Sequence, residues 1–123
     1  MRRLVHPKIE DVTVEGILRA LADPVRATIY AELAGSACAQ NCSSFLKMKE
    51  REIPKSTLSV HFKALREAGL IRAERVGVEL HNTSRCQEIQ QRFPGLLASI
   101  LNAQSIQLAE QARAERTRKR RAK

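Results

Sequence analysis

Few residues in this chain are of the types that do chemistry, and their spacing narrows what that chemistry could be. There are three cysteines, Cys38, Cys42 and Cys86, and three histidines, His6, His61 and His81. A thiolate or imidazole metal site needs three or four ligands at about 2.0–2.3 Å. The histidines are scattered without ligand spacing, and the run QSIQLAEQARAE near the C-terminus adds only Glu110 and Glu115. Cys38 and Cys42 are separated by three residues, with Cys86 the one remaining thiol. Three readings of the pair stand: a soft-metal or arsenical site, thiol redox sensing, or small packed or loop cysteines, the commonest fate of free thiols. There is no Gly-rich phosphate loop and no Ser or Cys nucleophile in a recognisable setting. Neither an enzyme nor a cofactor is expected.

The hydroxyls are more informative. In IPKSTLSVHFKALREAGLI, residues 53–71, Leu58, Phe62 and Leu65 follow i, i+4, i+7 and define the buried face of a helix. Ser56, Ser59, Val60 and Lys63 gather on the opposite side. A merely solvated helix surface favours Glu, Lys and Arg; two serines and a β-branched Val cost a few tenths of a kcal/mol each. Short hydroxyls let a helix backbone approach another surface and bond to phosphates or base edges, and a Val methyl can meet a thymine methyl. The DNA major groove is such a surface. Lys55 and the helix N-terminus would add phosphate contacts.

Helices must position that face. VTVEGILRALA carries Val14, Ile17, Leu18 and Leu21 at i, i+3, i+4, i+7 and reads as a first amphipathic helix. Asp23 then caps a second helix with Pro24 in its first position, and Val25, Ile29 and Leu33 line one side. Gly35 and Ser36 close it. Ser43 or Ser44 would cap a short third helix through about Glu50, contributing Phe45, Leu46 and Met48. The stretch above is the fourth helix, bracketed by Pro54 and Gly69. Beyond it the period changes, and IRAERVGVELHNT predicts two short strands, Ile71–Val76 and Val78–Asn82, reversing at Gly77. Ser84 caps a fifth helix with Ile89 and Phe93, Pro94 interrupts, and a long helix follows from about Gly95 to Arg113. Its stripe of Leu97, Leu101 and Leu108, with Ile100 beside it, needs either a partner or a place in the chain's own core.

Composition agrees with a single, mainly α domain carrying a small β-hairpin. The chain has 123 residues, 43% hydrophobic but only 3% aromatic and without Trp, which suits an aliphatic helical core. The net charge is +9, and its placement matters more than its size. Residues 113–123, RAERTRKRRAK, hold seven basic residues against one acidic, a net +6 that leaves +3 for residues 1–112. The folded domain is thus assigned to 1–112 and a disordered basic tail to 113–123. Such charge suits a polyanion such as DNA, RNA or an acidic membrane surface. No run approaches the roughly 18 apolar residues of a membrane span, and the N-terminus lacks the apolar core of a signal peptide. A cytoplasmic protein with reduced thiols and no membrane partner is the expectation.

The order short helix, turn, helix with a small-residue outer face, Gly, hairpin is that of a winged helix-turn-helix. ALADPVRATIYAEL, STLSVHFKALREAGLI and RAERVGVELHNT, in that order, resemble the ArsR/SmtB family of bacterial winged-helix repressors over about Val14 to Leu101. The resemblance implies a homodimeric repressor of transcription that reads an inverted repeat in double-stranded DNA. Its first and last helices would build the interface, which points to Ile17, Leu97, Leu101 and Leu108. Lys55, Ser56, Thr57 and Ser59 match the contact positions of the family's recognition helix. Val60 departs from the polar or basic residue many members carry there, so base preference does not transfer. His61 matches a recurrent His and divides between phosphate contact and a packed core-edge role. Arg72 and Arg75 would track phosphates along the wing, or are solvated hairpin charges. The family's thiolate motif, ELCVCDL, is replaced by ACAQNCSSFL, with wider cysteine spacing and no following acid. No metal site is therefore assigned, and an inducer, small-molecule or thiol-reactive, is left unidentified. The alternative function is a charge-driven nucleic-acid binder or a winged-helix protein-interaction module.

Overall fold

The computed structural model describes residues 6–34, 40–41, 47–48 and 51–122. A 3-10 turn, Ile9–Asp11, leads into α1 (Val14–Leu21) and α2 (Pro24–Ala34). Local chemistry starts both helices. Thr13 Oγ1 accepts the Gly16 N–H at 3.0 Å, and Asp23 Oδ1 accepts those of Val25 and Arg26 at 2.9 and 3.1 Å. Pro24 occupies the first position of α2 as its sequence suggests. Inside, α1 buries Ile17, Ala20 and Leu21, and α2 buries Ala27, Ile29, Tyr30 and Leu33.

Three two-residue strands follow: β1 (Gln40–Asn41), β2 (Lys47–Met48) and β3 (Arg51–Glu52). The short helix expected through Glu50 is not what Lys47–Met48 adopts; β2 pairs antiparallel with β3, Lys47 opposite Glu52. The rest of that stretch, with Phe45 and Leu46, lies outside the described residues. Pro54 disfavours helix at the residue before it, which keeps the chain extended up to the next element.

That element is α3 (Lys55–Glu67), the helix that positions the candidate site. It buries Leu58, His61, Phe62 and Leu65. Its end is a Schellman motif: Gly69 N–H donates to Arg66 O at 3.0 Å and Leu70 N–H to Leu65 O at 3.0 Å. Gly69 has φ +84°, and a Cβ there would stand 2.4 Å from Val12 Cγ2. Only glycine satisfies both the turn and that contact.

The chain then forms a hairpin of β4 (Ile71–Val76) and β5 (Glu79–Ser84), with Ile71 opposite Ser84 and Val76 opposite Glu79. Gly77, φ +66°, and Val78 make the two-residue turn. β1 adds to the far edge of β5, giving the order β1-β5-β4. Ile71 and Ala73 are buried while the distal half of β4 is exposed, so the hairpin leaves the body as a wing. α4 (Cys86–Arg92) begins where Ser84 Oγ accepts the Cys86 N–H at 3.0 Å. The Tyr30 hydroxyl bonds to the same Oγ at 2.9 Å, and burial pushes the Tyr30 pKa up to about 12.

After Gly95, φ +85°, α5 runs from Leu96 to Arg121. It therefore passes through the segment expected to be a disordered tail. Residues 113–121 are mainly Arg and Lys, with one Ala and one Glu, all good helix formers. Lys119 Nζ lies 3.8 Å from Glu115 Oε1, and four cations in the last turn complement the helix dipole. Among the described residues no helix is long and apolar enough to cross a membrane.

Candidate nucleic-acid interface

Helix α3 separates its two faces cleanly. Leu58 and Leu65 are 0% exposed and Phe62 2%, whereas Lys55, Ser56, Thr57, Ser59, Val60 and Lys63 are all exposed. Val60, at 61%, stands out because an apolar side chain on a helix this well packed has no reason of stability to face water. Pro54 supplies no side-chain cap and the first turn holds no acidic residue, so the positive end of the helix dipole is left for an anion. Lys63 Nζ lies 3.9 Å from Glu67 Oε1, a pair about two-thirds exposed on both sides and free to exchange for another anion.

His61 does not share that face. It is 8% exposed, and its Nδ1 accepts the Arg26 Nε–H at 3.3 Å. Arg26 also donates through Nη1 to Ala20 O at 3.3 Å, at the end of α1. His61 thus joins α3 to the α1–α2 corner instead of standing at the surface, and belongs with the core-edge reading. Nothing in the local sequence reveals Arg26 as its partner, 35 residues away.

On the wing, Arg75 is exposed in the distal half of β4. Arg72 is nearer the body, where its Nη2 lies 3.4 Å from Glu88 Oε1. Glu88 is held by Arg85, through Nε at 3.2 Å and Nη2 at 3.0 Å, and these bonds keep its carboxyl below the usual range. Arg85 is itself 4% exposed and donates a third bond to Pro7 O at 2.8 Å. Arg72 is therefore partly spent on the wing's root, while Arg75 extends beyond it. Two apolar side chains face water at the tip: Val76, the last residue of β4, is 51% exposed and Val78, in the turn, 99%.

An N-terminal strap backs the wing. His6 Nε2 accepts the Ala73 N–H at 2.9 Å, and burial together with Arg72, Arg66 and Arg85 lowers its pKa. Arg92 Nη1 donates to Ile9 O and Val12 O. These contacts fix residues 6–13 against β4, α4 and the end of α3, which orients the wing relative to the exposed face.

The residues expected at a dimer interface divide. Ile17, 0% exposed, and Leu97, 4%, are consumed by the chain's own core and have no surface to offer. Leu101 and Leu108 are half-buried beside a groove of about 460 Å³ between α2 and α5, lined by Thr28, Ala31, Glu32, Gln104 and Ser105 among others. The exposed apolar side chains on the same two terminal helices are Leu18, 49%, and Ile106, 53%, one position from a predicted residue or between two of them. Cys38 and Cys42 lie outside the described residues. Cys86 is a free, half-buried thiol, and among the described residues no group of three His, Cys, Asp or Glu could hold a metal ion.

Comparison with known proteins bears on this arrangement directly. Residues 21–74, from the last residue of α1 through α2 and α3 to the first four residues of β4, match a family described as a helix-turn-helix domain. No curated protein matches the chain. Among solved structures, an ArsR-like transcriptional regulator from Rhodococcus sp. RHA1 is similar at 21% sequence identity, over 84% of this chain and 89% of that one, with a TM-score of 0.53. The helical body, the exposed face of α3 and the flanking hairpin of β4 and β5 give the chain the fold of a winged helix-turn-helix, similar to that of the ArsR-like structure.

Proposed function

We propose that the protein is a DNA-binding transcriptional regulator that acts as a homodimeric repressor, occupying an inverted-repeat operator and excluding polymerase. The observation that carries this reading is the outer face of α3: Ser56, Ser59, Val60 and Lys63 are exposed together on a helix whose other side is almost wholly buried. A rigid helix with short hydroxyls and one methyl outward suits insertion into a major groove, where its first turn, Lys55 and Thr57 meet phosphates. Arg75 follows the backbone from the wing. Two such helices related by a dyad would read half-sites about one helical turn apart.

The dimer rests on α5. Leu101, Ile106 and Leu108, with Leu18 of α1, supply apolar surface that a second copy would cover.

The test is selection of fragmented genomic DNA by the purified, reduced protein at about 150–200 mM salt, where binding by charge alone is weak. Recovery of a short imperfect palindrome is the expected result. Retention of unrelated fragments would favour the charge-driven binder, and retention of none the protein-interaction module.

A further inference from the structure

We infer that the end of α5, residues 113–121, is a second nucleic-acid element: a helical arm that takes the phosphate backbone of duplex DNA without reading bases. The inference rests on the regulator reading only for its choice of DNA as the polyanion.

From Ala109 to Ala122 every residue is exposed, so the arm does not pack on the body. Its nine residues span about 13 Å at 1.5 Å each. They carry six basic side chains and one acidic, Glu115, which is engaged by Lys119 at 3.8 Å. Duplex DNA presents one negative charge per about 1.7 Å, so the same length offers about eight phosphates to a net five positive charges. Five of the six cations are arginine, whose planar fork matches a phosphate.

The distribution around the helix selects this partner over a lipid surface. At 100° per residue Arg113, Arg116 and Arg120 share one side, and Arg118 and Arg121 another; the only apolar residue is Ala114. A helix that lies in a membrane interface needs a broad apolar face opposite its cations. This one has none. Its cations also repel one another, Arg116 with Arg120 at i+4 and with Lys119 at i+3, and Arg118 with Arg121 at i+3, each by a few tenths of a kcal/mol. A bound polyanion removes that repulsion.

The experiment uses the full-length chain carrying Arg113→Gln, Arg116→Gln, Arg118→Gln, Lys119→Gln, Arg120→Gln and Arg121→Gln, which keeps a good helix former at every site. Affinity for a short random-sequence duplex, and for the duplex recovered by genomic selection, is measured across a salt series for both proteins. The variant's salt slope should be shallower by about 3 to 5 per protomer on each duplex, at about 0.9 per phosphate contact. The preference for the selected over the random duplex should be unchanged. An unaltered slope overturns the inference. So does an unaltered slope together with loss of binding to phosphatidylserine vesicles, which would make the arm a lipid element. If selection recovers no preferred duplex the regulator reading fails, and the random-duplex slope still decides the arm.

Discussion

Helices α3 and α5 solve opposite problems. In α3, four of 13 residues are buried, and Pro54 and Gly69 fix where it begins and ends. In α5, 26 residues long, Leu97 alone is buried. A helix held along its whole length can present an outer face of weak helix formers, because packing and not propensity keeps it formed. One held near its first turn has no such freedom, and its exposed residues must either favour helix by themselves or find cover elsewhere. The hydroxyls of α3 and the leucines and arginines of α5 follow from that difference. Helix α3 is finished by its own chain, whereas most of α5 is left exposed.

The largest effect that would break this contrast comes from inside α3. Phe62→Ala should lower stability by about 3–5 kcal/mol in urea unfolding, since it leaves a cavity in the hydrophobic core. A cost below about 1 kcal/mol would mean that α3 is not held from within. Next in size is the combination Leu101→Asp with Leu108→Asp. If α5 is completed by a second copy, sedimentation should show self-association weakened by about 100-fold, or about 2.7 kcal/mol. A native chain already monomeric at tens of micromolar would remove the dimer and with it the inverted repeat.

The outer face of α3 sharpens the comparison in the other direction. Ser59→Ala and Val60→Ala should leave stability within about 0.5 kcal/mol. Each should narrow the preference for operator over random DNA by about 1–3 kcal/mol at most, read in competition binding. Lys55→Ala should weaken all sequences by one factor. Equal loss on operator and random DNA from both kinds of substitution would rule out base reading by this helix.

What could be read from the sequence were the features whose cause is local. Asp23–Pro24, Pro54, Gly69 and Gly77 mark ends and turns through chemistry that operates within a few residues, and the structure has them there. Periodicity located the apolar stripes but not which edge of a stripe the core would take. Ile17 and Leu97 went inward while Leu18 stayed out, a choice made by neighbours distant in sequence. The same distance hid the Arg26–His61 bond and the whole N-terminal strap, whose partners lie 67 to 83 residues along the chain. In the stretch before Pro54, Phe45, Leu46 and Met48 span too few turns to establish a period, and strand pairing took Lys47–Met48 instead. The basic C-terminal segment was read by its charge as unstructured, although its residue types are good helix formers.

The smallest effect concerns that strap, and it should fall on the α3 side of the molecule alone. His6 can accept the Ala73 N–H only while Nε2 is unprotonated, and burial and three arginines lower its pKa from the ordinary 6.5. In the unfolded chain the imidazole takes up a proton near its ordinary value; in the folded chain it resists until lower pH. Just below 6.5 the unfolded state therefore binds more protons, and stability declines as pH falls toward and through the folded pKa. Glu88 contributes with the same sign at lower pH, its carboxyl being held below the ordinary 4.5 by Arg85. Melting temperature followed from about pH 8 to about pH 5 should fall by a few degrees more in the native chain than in His6→Gln, whose amide oxygen keeps the bond to Ala73 without titrating. Hydrogen exchange should find the loss at Ala73 and the wing root, with the amides of α5 unchanged. Coincident profiles for the two proteins would mean that the strap adds nothing to the orientation of the wing, and that α3 is held by its apolar face alone.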